Sequence, residues 1–203
     1  MDKVGAIVLA AGLSRRMGEQ NKLLLPINGA TMIRHVVETY LAAIDGAVCV
    51  VTGFEPDLIA AALNGLPVSL VHNADFEQGQ PSSVRTGLLA APMDDHLVIG
   101  LGDQPLLTAD DLRSLIAAHM AADPAKISIP FHDTARGNPI VVPWHMRAQL
   151  LADRANPGCG KFTRMHPEHV QHLALAQPGF FSDIDTPAAF AAFAQTTSEE
   201  VRT

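Results

Sequence analysis

Residues 9–22, LAAGLSRRMGEQNK, gather the groups most able to do chemistry. Ala10, Ala11, Gly12 and Ser14 are small or polar, so the backbone can come close to a ligand and aim successive N–H groups at an anion, while Arg15, Arg16 and Lys22 supply compensating charge. Such a set suits a polyphosphate. The spacing matches neither GxxxxGK[ST] nor GxGxxG, since Glu19 follows Gly18 and Leu23 follows Lys22, and an ordinary turn carrying solvated basic side chains is the competing reading. Gly102-Asp103-Gln104-Pro105 puts a carboxylate just beyond an apolar run, either as a metal ligand or as the first residue of an Asx turn. In Asp183-Ile184-Asp185-Thr186-Pro187, Asp185 or Thr186 has the plain task of capping the helix that Pro187 opens. Ser82 and Ser83, after Gly79, can likewise cap a helix.

Two further groups read as bland. His166, His169 and His172 recur every three residues, but Glu168 and Gln171 intervene and no further His or Cys completes a zinc set, so they are expected to be solvated. Cys159 has no identifiable His partner and is expected to be an ordinary loop thiol, and Cys49 a core residue.

The elements that must hold these groups alternate. Val4–Leu9 is an uncharged, β-branched run that fits a strand buried on both faces. Leu23–Pro26 reads as a short extended piece, and Thr31 caps a helix to about Ile44 with Met32, Val36, Val37, Tyr40 and Leu41 at helical spacing. Strands at 47–52, 68–72 and 96–101 alternate with helices opened by Pro56, Ser82 and Thr108, the last with Asp110 and Asp111 in its first turn. Short strands at 127–130 and 139–142 flank a polar excursion containing Arg136, and one or two helices, a weak strand at 170–175 and a helix from Pro187 to about Ala194 complete the chain. This rhythm predicts an α/β fold of three layers, a mostly parallel sheet with helices on both faces and its ligand site at the carboxyl ends of the strands.

With 203 residues, 48% of them hydrophobic, one well-packed domain is expected, and a single chain acting as a monomer. A formal net charge of −7 argues against a nucleic-acid or anionic-membrane surface, so phosphate must be gripped locally. Two cysteines in unlike contexts, no secretory leader and no apolar run of membrane-spanning length point to the cytoplasm.

The string LAAGLSRRMGEQNK closely resembles the LxAGxSxRMG…K motif that opens the nucleotidyltransferases of the molybdenum cofactor type, the MobA-like NTP transferases, whose fold is Rossmann-like. The matching positions are Leu9, Ala11, Gly12, Ser14, Arg16, Met17, Gly18 and Lys22. Arg15 falls at a variable position, so the phosphate role passes to Arg16 and Lys22. The resemblance implies that this loop wraps the triphosphate of an NTP, with Leu9, Ala10, Ala11, Gly12 and Ser14 around the nucleotide, Gly79 and Ser83 along the nucleoside and Gly102 beside it. It also implies that Asp103 of GDxP and Asp185 of DIDTP share one Mg²⁺, with Arg16, Lys22 and Asp103 catalytic. Ala10-Ala11-Gly12, NKLLL and GDQP are more similar to the cytidylyltransferases than to the guanylyltransferases, which implies CTP and molybdopterin as substrates, with pyrophosphate released, and a molybdoenzyme as a further partner. The NTP would occupy the half up to about 105 and the acceptor the half from about 106 to 195. Where the cytidylyltransferases carry a GDxGAR-like segment this chain has Pro157-Gly158-Cys159-Gly160-Lys161-Phe162, which leaves the acceptor open. The alternatives are a guanylyltransferase, an NTP transferase for another phosphorylated metabolite, or a nucleotide-binding molybdoenzyme chaperone without turnover.

Overall fold

The computed structural model describes residues 2–17, 20–27, 29–152 and 159–200. Gly18, a matched position of the loop motif, lies outside them. The strands are β1 (Val4–Ala10), β2 (Pro26–Ile27), β3 (Ala30–Thr31), β4 (Val48–Thr52), β5 (Val68–His72), β6 (His96–Leu101), β7 (Ile127–His132), β8 (Ala135–Arg136), β9 (Ile140–Pro143) and β10 (Val170–Ala174). The α-helices are α1 (Met32–Ala43), α2 (Pro56–Ala62), α3 (Gln80–Ala90), α4 (Ala109–Ala121), α5 (Arg147–Ala152), α6 (Cys159–Met165) and α7 (Pro187–Glu200).

Among the described residues one sheet runs in the order β10-β7-β9-β6-β1-β4-β5, with β8 folded back on β7. Every residue of β1 is buried, and the strand pairs in parallel with β4 and β6, as its uninterrupted apolar composition requires. Strand β9 runs antiparallel to both β6 and β7, so the mostly parallel sheet has one reversed strand inside it.

Period-two alternation divides the core. Ala6, Val8 and Ala10 of β1, with Val98 and Val141, meet Met32, Ile33, Val36 and Tyr40 of α1 and Leu112 and Leu115 of α4 on one face. Ile7, Leu9 and Ala11, with Leu97, Ile99, Ile127 and Ile129, meet Val84 and Leu88 of α3 on the other. Sheet residues buried on both faces make register unforgiving: a slip of one residue would exchange these two sets. Truncating Ile7, fully buried in the second set, to Ala would cost roughly 2–5 kcal/mol.

Local differences from the expected elements have local causes. Residues 22–24 form a 3₁₀ turn rather than an extended piece, because the Asn21 side chain accepts the Leu23 N–H at 3.1 Å. Residues 26–31 form a hairpin, β2 against β3, and its Leu25 carbonyl takes the Met32 N–H; the Thr31 hydroxyl makes no cap bond. Helix α3 starts at Gln80, two residues before the expected Ser82, since Gly79 at φ +93° turns the chain into a helix with Pro81 in its first turn. Cys159 begins α6 rather than sitting in a loop. Thr108 forms the expected cap, accepting from the Asp111 N–H at 3.1 Å while the Asp111 carboxylate takes its own N–H at 3.0 Å. No helix among the described residues is long and apolar enough to cross a membrane.

Candidate functional site

At the carboxyl ends of β1 and β6 the loop after Ala10 folds back on itself. Ser14 holds a left-handed conformation, φ +50°; its carbonyl accepts the Met17 N–H at 2.8 Å and its hydroxyl accepts the Lys22 N–H at 3.1 Å. This closure aims Lys22 across the strand ends. Its ammonium donates to Asp103 Oδ2 and, at 2.6 Å, to Asp185 Oδ1, while Arg16 Nη2 lies 2.8 Å from Asp185 Oδ2. The two aspartates are brought together by the backbone, because the Ile184 N–H donates to the Asp103 carbonyl at 2.9 Å. Thr186 Oγ1 accepts the Ala189 N–H at 3.2 Å and so caps α7, which frees the Asp185 carboxylate for the site.

Burial and charge oppose each other here. Burial alone lowers the Lys22 pKa, but the Asp103 and Asp185 carboxylates outweigh it and the net direction is upward. Burial raises the Asp103 carboxyl above its usual range despite the Lys22 ammonium beside it. Asp185 is held below that range: its partial burial acts upward, and the Lys22 hydrogen bond and the Lys22 and Arg16 charges more than reverse it.

The exposed Asp183 joins the other two, and carboxylate oxygens of Asp103, Asp183 and Asp185 all lie within 4.8 Å of one another. Asp103 Oδ1 is buried with no hydrogen-bond partner among the described residues. Three carboxylates converging on one point, one of them with an oxygen left over, fit a hard divalent cation. In the structure the Lys22 ammonium bridges two of these carboxylates, so an ion bound by both would have to displace it.

A cavity of about 490 Å³ opens beside these charges, lined by Leu9, Ala11, Gly12, Ser14, Arg16, Lys22, Gly79, Ser83, Asp103 and Asp185. A Cβ on Gly12 would meet nothing within 4 Å, and φ at Gly12 is not positive, so the protein's own packing gives no reason for glycine there. Close approach of a ligand does.

The sequence matches the family of the MobA-like NTP transferase domain over residues 6–172. The chain belongs to this family. It is 29% identical to the molybdenum cofactor cytidylyltransferase of Escherichia coli K12 over 191 residues, 94% of this chain and 95% of that one. It is also 29% identical to the nicotine blue oxidoreductase of Paenarthrobacter nicotinovorans over 191 residues, 90% of this chain and 92% of that one. A nucleotidyl transferase from Methanothermobacter shares its fold with a TM-score of 0.82 at 24% identity, covering 98% of this chain and all of that one.

Of the residues singled out in the sequence, Ala10 and Gly102 are not on the walls of this cavity. In this MobA-like chain alternation turns Ala10 into the α1 face of the core, and Gly102, whose N–H donates to the Leu9 carbonyl at 2.9 Å, packs so closely that a Cβ would fall 2.8 Å from Ile33 Cδ1. Ser83 reaches the cavity wall but is nearly buried, and its hydroxyl accepts from Asn73 Nδ2 at 3.0 Å. His166 and His169 pack on the Phe162 ring and His172 on Phe131. Sequence reasoning passed over Asp183, Phe76, Glu77, Gln80 and Leu101 at this site. Asp183 had a signal, two carboxylates two residues apart before a helix cap that needs neither; Leu101, at the end of an apolar strand, had none.

Proposed function

We propose that this chain transfers CMP from CTP to the phosphate of molybdopterin, with Mg²⁺ as cofactor, in the cytoplasm. The observation that carries the reading is the convergence of Lys22, Arg16 and three aspartates on the edge of a cavity floored by a loop of small residues. An oxygen of the acceptor's phosphate attacks the α-phosphorus of CTP, the bond from that phosphorus to the β-bridging oxygen breaks, and pyrophosphate leaves with the electron pair. No covalent enzyme adduct is needed, so the work is positioning and charge stabilisation. Asp103, Asp183 and Asp185 would hold Mg²⁺, which when bound offsets the charge of the triphosphate. Lys22 and Arg16 then leave the carboxylates and follow the phosphates, their natural counter-charges, while Gly12 and Ala11 bring the backbone against them. Glycine 79 and Ser83 stand on the wall that would face the nucleoside.

The near-full-length similarity to the cytidylyltransferase of E. coli supports the choice of CTP and molybdopterin. The equal similarity to nicotine blue oxidoreductase keeps a second reading, an oxidoreductase. A carboxylate triad facing paired cations has no evident task in that chemistry. The deciding experiment supplies each of the four NTPs with Mg²⁺ and molybdopterin, measures pyrophosphate and weighs the product. Release with CTP and a product heavier by one cytidylyl group, CMP less water, is expected; no pyrophosphate with any NTP would overturn the transferase.

A further inference from the structure

Asn73 follows β5 directly and is almost fully buried, its N–H donating to the Thr52 carbonyl at 2.8 Å. The orientation of its carboxamide is set by a neighbour that can only donate: the Asp75 N–H points at Asn73 Oδ1, 3.1 Å away, so Nδ2 must face the other way. There it gives one proton to Ser82 Oγ at 2.9 Å and the other to Ser83 Oγ at 3.0 Å. Each serine oxygen, having accepted, keeps one proton of its own to give. Ser82 spends its proton inside the loop, where the Asp75 and Gly79 carbonyls lie 2.9 and 2.8 Å from its oxygen. The Ser83 proton has no acceptor among the described residues, although Ser83 is only 4% exposed and lines the cavity beside the aspartates. A buried hydroxyl proton left unspent is a cost that an acceptor in that cavity removes.

We propose that Asn73 is a positioning residue, which holds the Ser83 hydroxyl as a donor aimed into the cavity, so that a carbonyl oxygen of the nucleobase must meet it there. The proposal rests on the transferase reading above and adds the residue that sets what the base has to offer. The charge of the segment argues against phosphate as the acceptor. Residues 73–83 include Asp75 and Glu77 and no Lys, Arg or His, whereas Arg16 and Lys22 gather at Asp103 and Asp185 on the wall of the same cavity. Phosphate follows the cations, and the neutral donor is left for a neutral partner.

Asn73→Asp inverts this arrangement with almost no change of shape. One carboxylate oxygen still accepts the Asp75 N–H, but the other can only accept as well, so the Ser83 proton turns back onto it and the cavity loses its donor. The test measures binding of CTP and of inorganic tripolyphosphate, each with Mg²⁺, to the full chain by calorimetry. Asn73→Asp and Ser83→Ala should each weaken CTP about tenfold and leave tripolyphosphate unchanged, because the lost bond is to the base. The double variant should bind CTP no worse than Ser83→Ala alone, since no hydroxyl remains to be turned. Wild-type affinity for CTP in Asn73→Asp, an equal loss of tripolyphosphate, or losses that multiply in the double variant would overturn the proposal; the last two are what a role in folding or in overall charge would give. Should Asn73→Asp not fold, Asn73→Ala takes its place: freeing the Ser83 hydroxyl to rotate should cost CTP roughly threefold with tripolyphosphate again unchanged, and no loss would overturn the proposal equally. If the CTP losses appear while no NTP yields pyrophosphate, the transferase reading falls and the positioning role stands.

Discussion

At the amino ends of β6 and β7, Gln171 Nε2 donates to Ser128 Oγ at 2.8 Å, Ser128 Oγ meets His119 Nδ1 at 2.7 Å and His119 Nε2 meets His96 Nδ1 at 3.0 Å. At the carboxyl ends of β1 and β6, by contrast, Asp103 Oδ1, Gln104 Oε1 and the Tyr40 hydroxyl are buried without partners among the described residues. Both ends of one sheet bury polar groups, yet only one closes its hydrogen bonds. An unpaired buried polar atom costs about 1–3 kcal/mol, so the open end gives up stability that the closed end keeps. The difference teaches where a ligand belongs: the closed network needs nothing further, whereas the open one gains from anything that can pair with it, a cation on Asp103 first.

The comparison can be broken most severely at Asp103. Asp103→Asn should leave the melting curve nearly unchanged and lower turnover by 10²–10³-fold or more, with a far smaller effect on nucleotide affinity, because the missing charge matters most to the transition state. Turnover assays beside calorimetric titration with CTP check it. Close behind is Lys22→Ala, expected to lower turnover by roughly 10²–10³-fold. Removing the ammonium leaves Asp103 and Asp185 facing each other without a bridge, so Mg²⁺ alone should raise the melting temperature of this variant more than that of wild type. An equal rise would mean that Lys22 and the ion do not compete.

The closed end is tested by acid. Burial, and next the neighbouring His96, lower the His119 pKa from 6.5 to about 4. A histidine whose folded pKa is depressed adds stability that is present above its unfolded pKa and is lost as pH falls toward the folded value. Wild type should therefore lose about 3 kcal/mol through this group between pH 6.5 and 4. Measured by denaturant titration, His119→Gln should be less stable at neutral pH and show a shallower decline across that window. The smallest effect is expected at Gly12→Ala. The backbone there tolerates alanine and no protein atom is in the way, so stability should rise by roughly 0.4–1 kcal/mol while CTP affinity falls, a split that thermal melts and calorimetry read together.

Much of the architecture was legible because its signals are local. The uncharged run at β1, the helical spacing in α1, the Pro56 start of α2 and the Thr108 capping box each fix an element from neighbouring residues alone. The reversal of β9 was not legible, since an apolar tetrapeptide reads the same in either direction and its pairing with β6 is decided 40 residues away. The hairpin at 26–31 and the 3₁₀ turn at Lys22 depend on Asn21 and Leu25 acting through hydrogen bonds that composition does not encode. At the site, the loop motif and both GDQP and DIDTP segments stood out, but Asp183 was passed over because only the second aspartate was assigned a role. That Arg136 and Arg164 line one cavity is a tertiary event, joining a two-residue strand to a short helix that gives no chemical signal of its own.

The central claim, that Lys22 and the aspartates exchange partners around a metal-bound nucleotide, is tested most directly by a crystal structure with α,β-methylene-CTP and Mg²⁺. The account predicts one ion with oxygens of Asp103 and Asp185 about 2.1 Å away, and the Lys22 ammonium moved from the carboxylates onto the phosphates. A nucleotide bound in the cavity with Lys22 still bridging Asp103 and Asp185, and no ion between them, would contradict it.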